Sequence, residues 1–88
     1  MYVWYFQYNK QNGGKILMHF YQRLRDLRED KDLNQSAIAK ILQTTQQTYS
    51  LWETGEREIP FHHVITLAKF YKVSIDYIAG LTNNKGKT

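Results

Sequence analysis

Two helix-capping residues that stand close together, Asn34 and Thr45, constrain the fold of this chain more than any other feature. The side-chain oxygens of Asn and Thr can accept a hydrogen bond from the free N–H groups of a helix's first turn. An apolar series at helical spacing follows Asn34, and a second helical segment of about residues 46–52 follows Thr45. Because only Gln43 and Thr44 remain for the connection, the sequence predicts two short helices joined by a tight turn.

The apolar series of the first helix comprises Ala37, Ile38, Ile41 and Leu42. In the second helix, Tyr49 and Trp52 lie three residues apart and are expected to face inward. Gly55 can end the second helix in the left-handed conformation at little steric cost. This arrangement is a helix-turn-helix, in which the start of the second helix enters the major groove of DNA. The sequence therefore favours a DNA-binding regulator.

Four residues on the outer side of the second helix are candidates for base contacts, namely Gln46, Gln47, Ser50 and Leu51. A Gln side chain can bond bidentately to N6 and N7 of adenine, and an apolar side chain can contact the methyl group of thymine. The alternative is that the two Gln residues are solvated first-turn residues and that Leu51 packs at the rim of the core.

The wider sequence can now be compared with a known family. The supporting run comprises Leu24-Arg25, Leu27-Arg28, Leu33-Asn34-Gln35, Ile38-Ala39, residues 45–55, Pro60, Leu67-Ala68, residues 73–78 and Gly80. With this run, residues 24–80 resemble the Xre/Cro-type helix-turn-helix family of phage and bacterial repressors, and residues 44–48 are close to the lambdoid pattern. One departure is Gln43, where the family often has Gly, so Gln43 must tolerate a positive φ or the turn must differ.

The resemblance implies roles for residues outside the second helix. Gln35 is expected to contact the DNA backbone and to brace the recognition helix. Arg28 and Glu53 are expected to form a partly buried ion pair that ties helix 1 to the end of helix 3. The further candidates for backbone contacts are Thr45, Thr48, Lys40 and Arg57, with a solvated surface position as the alternative for the last two.

The predicted fold is an all-α, five-helix, repressor-like domain at residues 18–81, followed by a flexible tail at residues 82–88. Helix 1 is expected at residues 19–30, helix 4 near Pro60 and helix 5 after a Ser74 cap. In helix 1, Phe20, Leu24 and Leu27 are expected to face inward. Helix 4 carries the apolar residues Val64, Ile65, Leu67, Ala68 and Tyr71, and helix 5 carries Ile75, Ile78 and Ala79.

Residues 1–17 form a separate aromatic extension. Tyr2, Trp4, Phe6 and Tyr8 alternate with other residues, a pattern typical of a short β-strand, which would pair with a second subunit in a two-fold dimer. The alternative is a translated leader upstream of a natural start at Met18. That alternative rests on residues 13–15, which a purine-rich run like a ribosome-binding site can encode.

Composition and motif content exclude several functional classes. The chain has 88 residues, a net charge of +4 and no Cys, which is consistent with one small domain in a reducing cytoplasm. No apolar run approaches the length of a membrane span. His62 and His63 are adjacent and cannot easily share a metal on a helix, and catalytic motifs are absent. No enzymatic activity, metal, cofactor, membrane partner or small-molecule ligand is therefore expected.

The function predicted from the sequence is that of a regulator which binds double-stranded DNA sequence-specifically, as a repressor and homodimer on an inverted-repeat operator. Helix 5, Tyr77 and the N-terminal extension are the candidate dimer surfaces. The alternative is an antitoxin that binds a toxin protein and represses its own operon. A relative of the fold that has lost DNA binding is disfavoured, because Gln46 and Gln47 remain suited to contact bases.

Overall fold

The computed structural model describes residues 20–86, and in this part of the chain every regular element is an α-helix. The five helices are α1 (Phe20–Asp30), α2 (Gln35–Ile41), α3 (Gln46–Thr54), α4 (Phe61–Tyr71) and α5 (Ile75–Ile78). The prediction of an all-α, five-helix domain is confirmed. The N-terminal extension, for which a strand and a leader were the two expectations, lies outside the described residues, as does His19.

One core joins the helices, since the apolar residues of each recur at helical spacing and so share a face. Its buried members are Leu24, Leu27, Ile38, Ala39, Leu42, Tyr49, Trp52, Ile59, Leu67, Ala68, Tyr71, Val73 and Ile78. Phe20, Val64 and Ile75 pack against this cluster while partly buried.

Ile41 belongs to the apolar series of α2 but lies outside the core, because its side chain is 39% exposed. The buried residues of α2 are Ile38 and Ala39, with Leu42 at its C-cap. At 100° per residue, Ile41 lies about 110° from the centre of that buried face. Apolar character within a short helix therefore does not by itself place a side chain in the core.

The turn between α2 and α3 follows the capping prediction. Asn34 Oδ1 accepts a hydrogen bond from the Ala37 N–H at 2.8 Å, and Thr45 Oγ1 accepts one from the Thr48 N–H at 3.1 Å. Gln43 takes the left-handed conformation with φ 59°, so the turn is made without glycine. The last residue of α3 is Thr54, two residues beyond the predicted end at residue 52, and Gly55 caps the helix with φ 83°.

The segment that follows α3 is held from the side by α1. Tyr21 in α1 lies so close to Gly55 that a Cβ atom placed there would be 2.9 Å from Tyr21 Cε2. Ile59 then enters the core, and Pro60, expected in the first turn of helix 4, is the N-cap residue of α4. The end of α3 is thus fixed against α1 as well as through its own core residues.

Part of the segment expected to form a flexible tail, residues 82–86, contacts the domain. Arg23 is buried in α1 and donates hydrogen bonds to the Thr82 carbonyl at 3.3 Å and to Asn83 Oδ1 at 3.2 Å. The Ser74 N–H donates to the Lys85 carbonyl at 2.7 Å. A buried guanidinium requires acceptors, and the first part of the predicted flexible tail supplies two of them. Residues 87–88 lie outside the described part of the chain.

Candidate nucleic-acid interface

The outer face of α3 carries the predicted base-contacting residues. Gln46 and Gln47 are exposed in its first turn, and Ser50 and Leu51 are half-buried one turn later. On the opposite face Tyr49 is fully buried, so its packing anchors the helix to the core. The two amides therefore project from a helix whose position is set by the core behind it.

The Thr45 cap organises the start of this face. Besides accepting from the Thr48 N–H, the Thr45 hydroxyl donates to Thr48 Oγ1 at 2.9 Å. The Thr48 hydroxyl thereby keeps its own hydrogen as a donor. That leaves Thr48 suited to an acceptor such as a phosphate oxygen.

A buried ion pair lies behind this face. Arg28 in α1 engages Glu53 in α3 through both carboxylate oxygens, with Nε–Oε2 at 2.7 Å and Nη2–Oε1 at 3.1 Å. Arg28 Nη1 also donates to the Leu33 carbonyl at 2.8 Å. Bidentate pairing of this kind fixes direction as well as distance, so the end of α3 is locked onto α1.

The ion pair also determines the protonation state of Glu53. Burial by itself would raise the pKa of the Glu53 carboxyl, but hydrogen bonds from Arg28 and Gln35 and the nearby Tyr49 hydroxyl outweigh it, so the pKa is lowered. Burial raises the pKa of Tyr49 and that of Tyr71, and both phenols stay neutral. Their buried hydroxyls have no hydrogen bond of good geometry within the described residues. Glu53 is therefore an ionised carboxylate at neutral pH.

A chain of hydrogen bonds connects Glu53 to the exposed face. Gln35 in α2 donates from Nε2 to Glu53 Oε1 at 3.0 Å. Gln46 in turn donates from its Nε2 to Gln35 Oε1 at 2.9 Å. Gln35 thus contacts both ends of α3, and Gln46 is held by a partner on another helix.

The two basic candidates are both exposed. Lys40 is exposed in the last turn of α2, and Arg57 is exposed in the segment after Gly55. Within residues 20–86 neither belongs to an ion pair, whereas Arg25 pairs with Glu29 at 3.0 Å. Acidic Glu56 and Glu58 flank Arg57, which weakens the local positive potential.

The two histidine rings lie close together, and one of them contacts the core. The rings of His62 and His63 have centroids 4.1 Å apart, and the His63 ring lies 5.1 Å from that of Trp52. Burial, and then the neighbouring His62, lower the pKa of His63. Among the residues that the structure describes, His, Cys, Asp and Glu nowhere gather in threes with metal-binding geometry.

The resemblance led to the expectation that Gln35 braces the recognition helix, but no spacing rule identifies Gln46 as the residue that it contacts. A second contact at this surface was not expected from the sequence. The contact between Tyr21 and Gly55 is also between elements, although a glycine after a capped helix was a signal that the position needs special backbone geometry.

The family can be assigned from a sequence comparison. A helix-turn-helix family model matches residues 24–78. The chain belongs to the helix-turn-helix family. The resemblance identified in the sequence is thereby confirmed, and the family is one of regulators and not of enzymes.

Several curated relatives are similar to this chain. The uncharacterized HTH-type transcriptional regulator YobD of Bacillus subtilis is 35% identical over 63 residues, which cover 72% of this chain and 56% of that protein. The cryptic phage CTXphi transcriptional repressor RstR of Vibrio cholerae is 39% identical over 56 residues, which cover 64% of this chain and 50% of that repressor. The transcriptional activator BcrR of Enterococcus faecalis is 32% identical, covering 67% of this chain and 29% of the activator. The chain thus spans about half the length of the first two relatives.

A solved structure shares the fold. The P22 c2 repressor, in its complex with a synthetic operator, matches with a TM-score of 0.63 and 26% identity. The match covers 69% of this chain and 92% of the repressor chain. Separately, none of the helices in residues 20–86 combines the length and hydropathy that crossing a bilayer requires.

Proposed function

We propose that this chain is a transcription regulator that binds double-stranded DNA in a sequence-specific manner. The observation that carries the proposal is the exposed pair Gln46 and Gln47 in the first turn of α3, the helix that a helix-turn-helix inserts into the major groove. The similarity to the P22 c2 repressor, whose structure contains a synthetic operator, supports it.

The residue roles follow from the position of each side chain on this surface. Base contacts are assigned to Gln46, Gln47, Ser50 and Leu51, and backbone contacts to Gln35, Thr45, Thr48, Lys40 and Arg57. No cofactor is needed for such contacts, and we expect the protein to act in the cytoplasm. Arg28 and Glu53 serve the architecture that holds α3 in place.

The regulator acts as a homodimer on an inverted repeat and represses transcription. Two-fold symmetry places two recognition helices in successive major grooves, about 34 Å apart. An apolar side chain beside the expected dimer surface at α5 supports this, since Leu81 is 69% exposed just after that helix. The repressors RstR and P22 c2 support repression, whereas BcrR is named an activator.

Selection of bound DNA from a random pool, at two salt concentrations, tests the proposal. We expect one enriched inverted repeat, with base preference relaxed by Gln46→Ala and Gln47→Ala and with affinity for all sequences lowered by Gln35→Ala. Gln22→Ala, at an exposed position of α1, is the matched control. An unchanged operator affinity in all three variants would contradict the site assignment, and recovery of a toxin with the native protein would favour the antitoxin alternative.

A further inference from the structure

The hydrogen-bond chain from Glu53 to Gln46 has a fixed direction, because its first member can only accept. An ionised carboxylate has no hydrogen to donate, so a neighbouring amide must turn its NH2 group toward it. Gln35 therefore presents Nε2 to Glu53 Oε1, at 3.0 Å. The orientation of this amide follows from the chemistry of its partner.

The orientation of the next amide is fixed in the same way. With Nε2 directed at Glu53, Gln35 has only its oxygen left on the side of Gln46. Gln46 must then donate to it, and Gln46 Nε2 does so at 2.9 Å. The Gln46 oxygen consequently points away from Gln35, together with one free N–H of the same amide.

We propose that Glu53 is a positioning residue for base selection, which acts through Gln35 to make Gln46 present its carbonyl oxygen to the DNA. The inference rests on the proposed function, because it assumes that Gln46 contacts a base. An oxygen that faces the groove accepts from the amino groups of adenine N6 and cytosine N4. It is repelled by guanine O6 and N7 and by thymine O4, which are acceptors themselves. Adenine fits best, since the free N–H can also reach N7.

The protein keeps the first member of this chain ionised. Glu53 is 7% exposed, and two Arg28 nitrogens hydrogen-bond to its oxygens at 2.7 and 3.1 Å. Its pKa is lowered despite burial, because the hydrogen bonds that it accepts outweigh the loss of solvation. Gln47 takes no part in the hydrogen bonds that link Glu53, Gln35 and Gln46. The base preference at the Gln47 contact is therefore an internal reference for the preference at the Gln46 contact.

The deciding variant is Glu53→Gln, which replaces the carboxylate by an amide that can both donate and accept. Gln35 can then turn either way, and Gln46 with it. At the base pair where Gln46→Ala removes the preference, we expect Glu53→Gln to lower the discrimination against guanine and thymine roughly tenfold. The preference at the Gln47 base pair should not change. Glu29→Gln, an exposed residue of α1, is the control for the lost charge.

Gln35→Ala tests the inference without disturbing the ion pair, in case Glu53→Gln folds poorly. It should cause the same local loss of preference, besides a uniform loss of affinity. A variant that combines Glu53→Gln with Gln35→Ala should lose no further preference at the Gln46 base pair. Its stability should fall as it does in Glu53→Gln alone. Base preferences are measured by sequencing pools selected on variants shown to be folded by circular dichroism.

Two outcomes would overturn the inference alone. One is an intact preference at the Gln46 base pair in Glu53→Gln and in Gln35→Ala, and the other is an equal loss at every base pair, which indicates a loosened domain. If Gln46→Ala itself leaves every preference intact, the assignment of Gln46 under the proposed function fails and the inference fails with it.

Discussion

Arg28 and Glu53 illustrate how one pair of side chains links stability to pH. Glu53 is held ionised in the folded state with a pKa below its ordinary value of 4.5. A carboxyl whose pKa is lowered on folding contributes stability above its unfolded pKa, and this stability is lost as the pH falls through the folded pKa. The wild-type domain should therefore lose stability on acidification below about pH 4.5.

Arg28→Ala should reverse the sign with which stability depends on pH. The variant leaves a buried carboxylate without its cation, at a cost of about 3 kcal/mol at pH 7. Burial then raises the Glu53 pKa, so protonation at low pH removes the cost of the unpaired charge. The difference in the free energy of unfolding between the variant and the wild type should therefore narrow at low pH. Urea unfolding at neutral and acidic pH measures both curves. Arg25→Ala, on the same helix in an exposed pair with Glu29, should cost less than about 1 kcal/mol at either pH. A gap for Arg28→Ala that is constant with pH would contradict the argument.

Two constraints act at Gly55, a left-handed backbone and a close contact with Tyr21, and two substitutions can separate them. Its φ of 83° disfavours any side chain, and a Cβ atom there would lie 2.9 Å from Tyr21 Cε2. Gly55→Ala should cost about 1–3 kcal/mol, measured by urea unfolding. Gly55→Asn tolerates the left-handed backbone better and isolates the contact with Tyr21.

In a Tyr21→Ala background the contact with the new Cβ is relieved, so Gly55→Asn should cost less there than in wild type. Strict additivity of the two substitutions would show that Tyr21 does not limit this position.

At the scale of the elements, the tail acts as a partner of α1. Deletion of residues 82–88 removes the two acceptors of Arg23 that the tail provides and the bond between the Ser74 N–H and the Lys85 carbonyl. Arg23 keeps its stacking on Tyr77, 3.9 Å from the ring centroid. We expect a loss of about 1–3 kcal/mol in urea unfolding, because hydrogen bonds to a charged group are involved. Deletion of residues 87–88 alone keeps all these bonds, and equal stability of the two truncations would refute the role of the tail.

The helices differ from the tail in how well the sequence could predict them. The caps at Asn34 and Thr45 are local, since each accepts from an N–H three residues along the chain, and the turn between them follows. The anchoring of residues 82–86 depends on Arg23, more than fifty residues earlier, and polar composition alone favours a free tail. Ile41 shows a different limit, because it belongs to the apolar series at helical spacing and yet lies outside the buried face of α2.

The candidate site shows the same division. The outward position of Gln46 and Gln47 follows from one helix and its cap, and so could be predicted. The Gln35–Gln46 bond depends on the distance between two helices, which is set by packing of the core. A pattern of residue types indicates which side chains can bind DNA, whereas the contacts that orient them emerge only when the helices are assembled.

At the scale of the whole molecule, the charge of +4 is modest for a DNA-binding protein. Of the residues assigned to the DNA backbone only Lys40 and Arg57 are cationic, so a weak salt dependence is expected of one domain alone. The logarithm of the operator affinity falls linearly with the logarithm of the salt concentration. Lys40→Ala and Arg57→Ala should each reduce the slope of that line by about one per subunit, without changing base preference. Lys69→Ala, at an exposed position of α4, should leave the slope unchanged. Titration of operator binding against salt concentration measures this, and unchanged slopes for both variants would remove them from the interface.

A modest charge on each subunit also makes the dimer matter for affinity. Two recognition helices related by a two-fold axis contact half-sites whose centres are about 10 base pairs apart, on one face of the duplex. Insertion of 5 base pairs between the half-sites turns one to the opposite face, so both helices cannot bind at once. We expect affinity to fall to that of an isolated half-site, measured by gel shift over a range of protein concentrations. Substitution of the central base pairs without insertion is the control, and it should preserve most of the affinity. If the isolated half-site bound as tightly as the complete operator, recognition by a two-fold dimer would be refuted, while the base contacts of a single α3 would be unaffected.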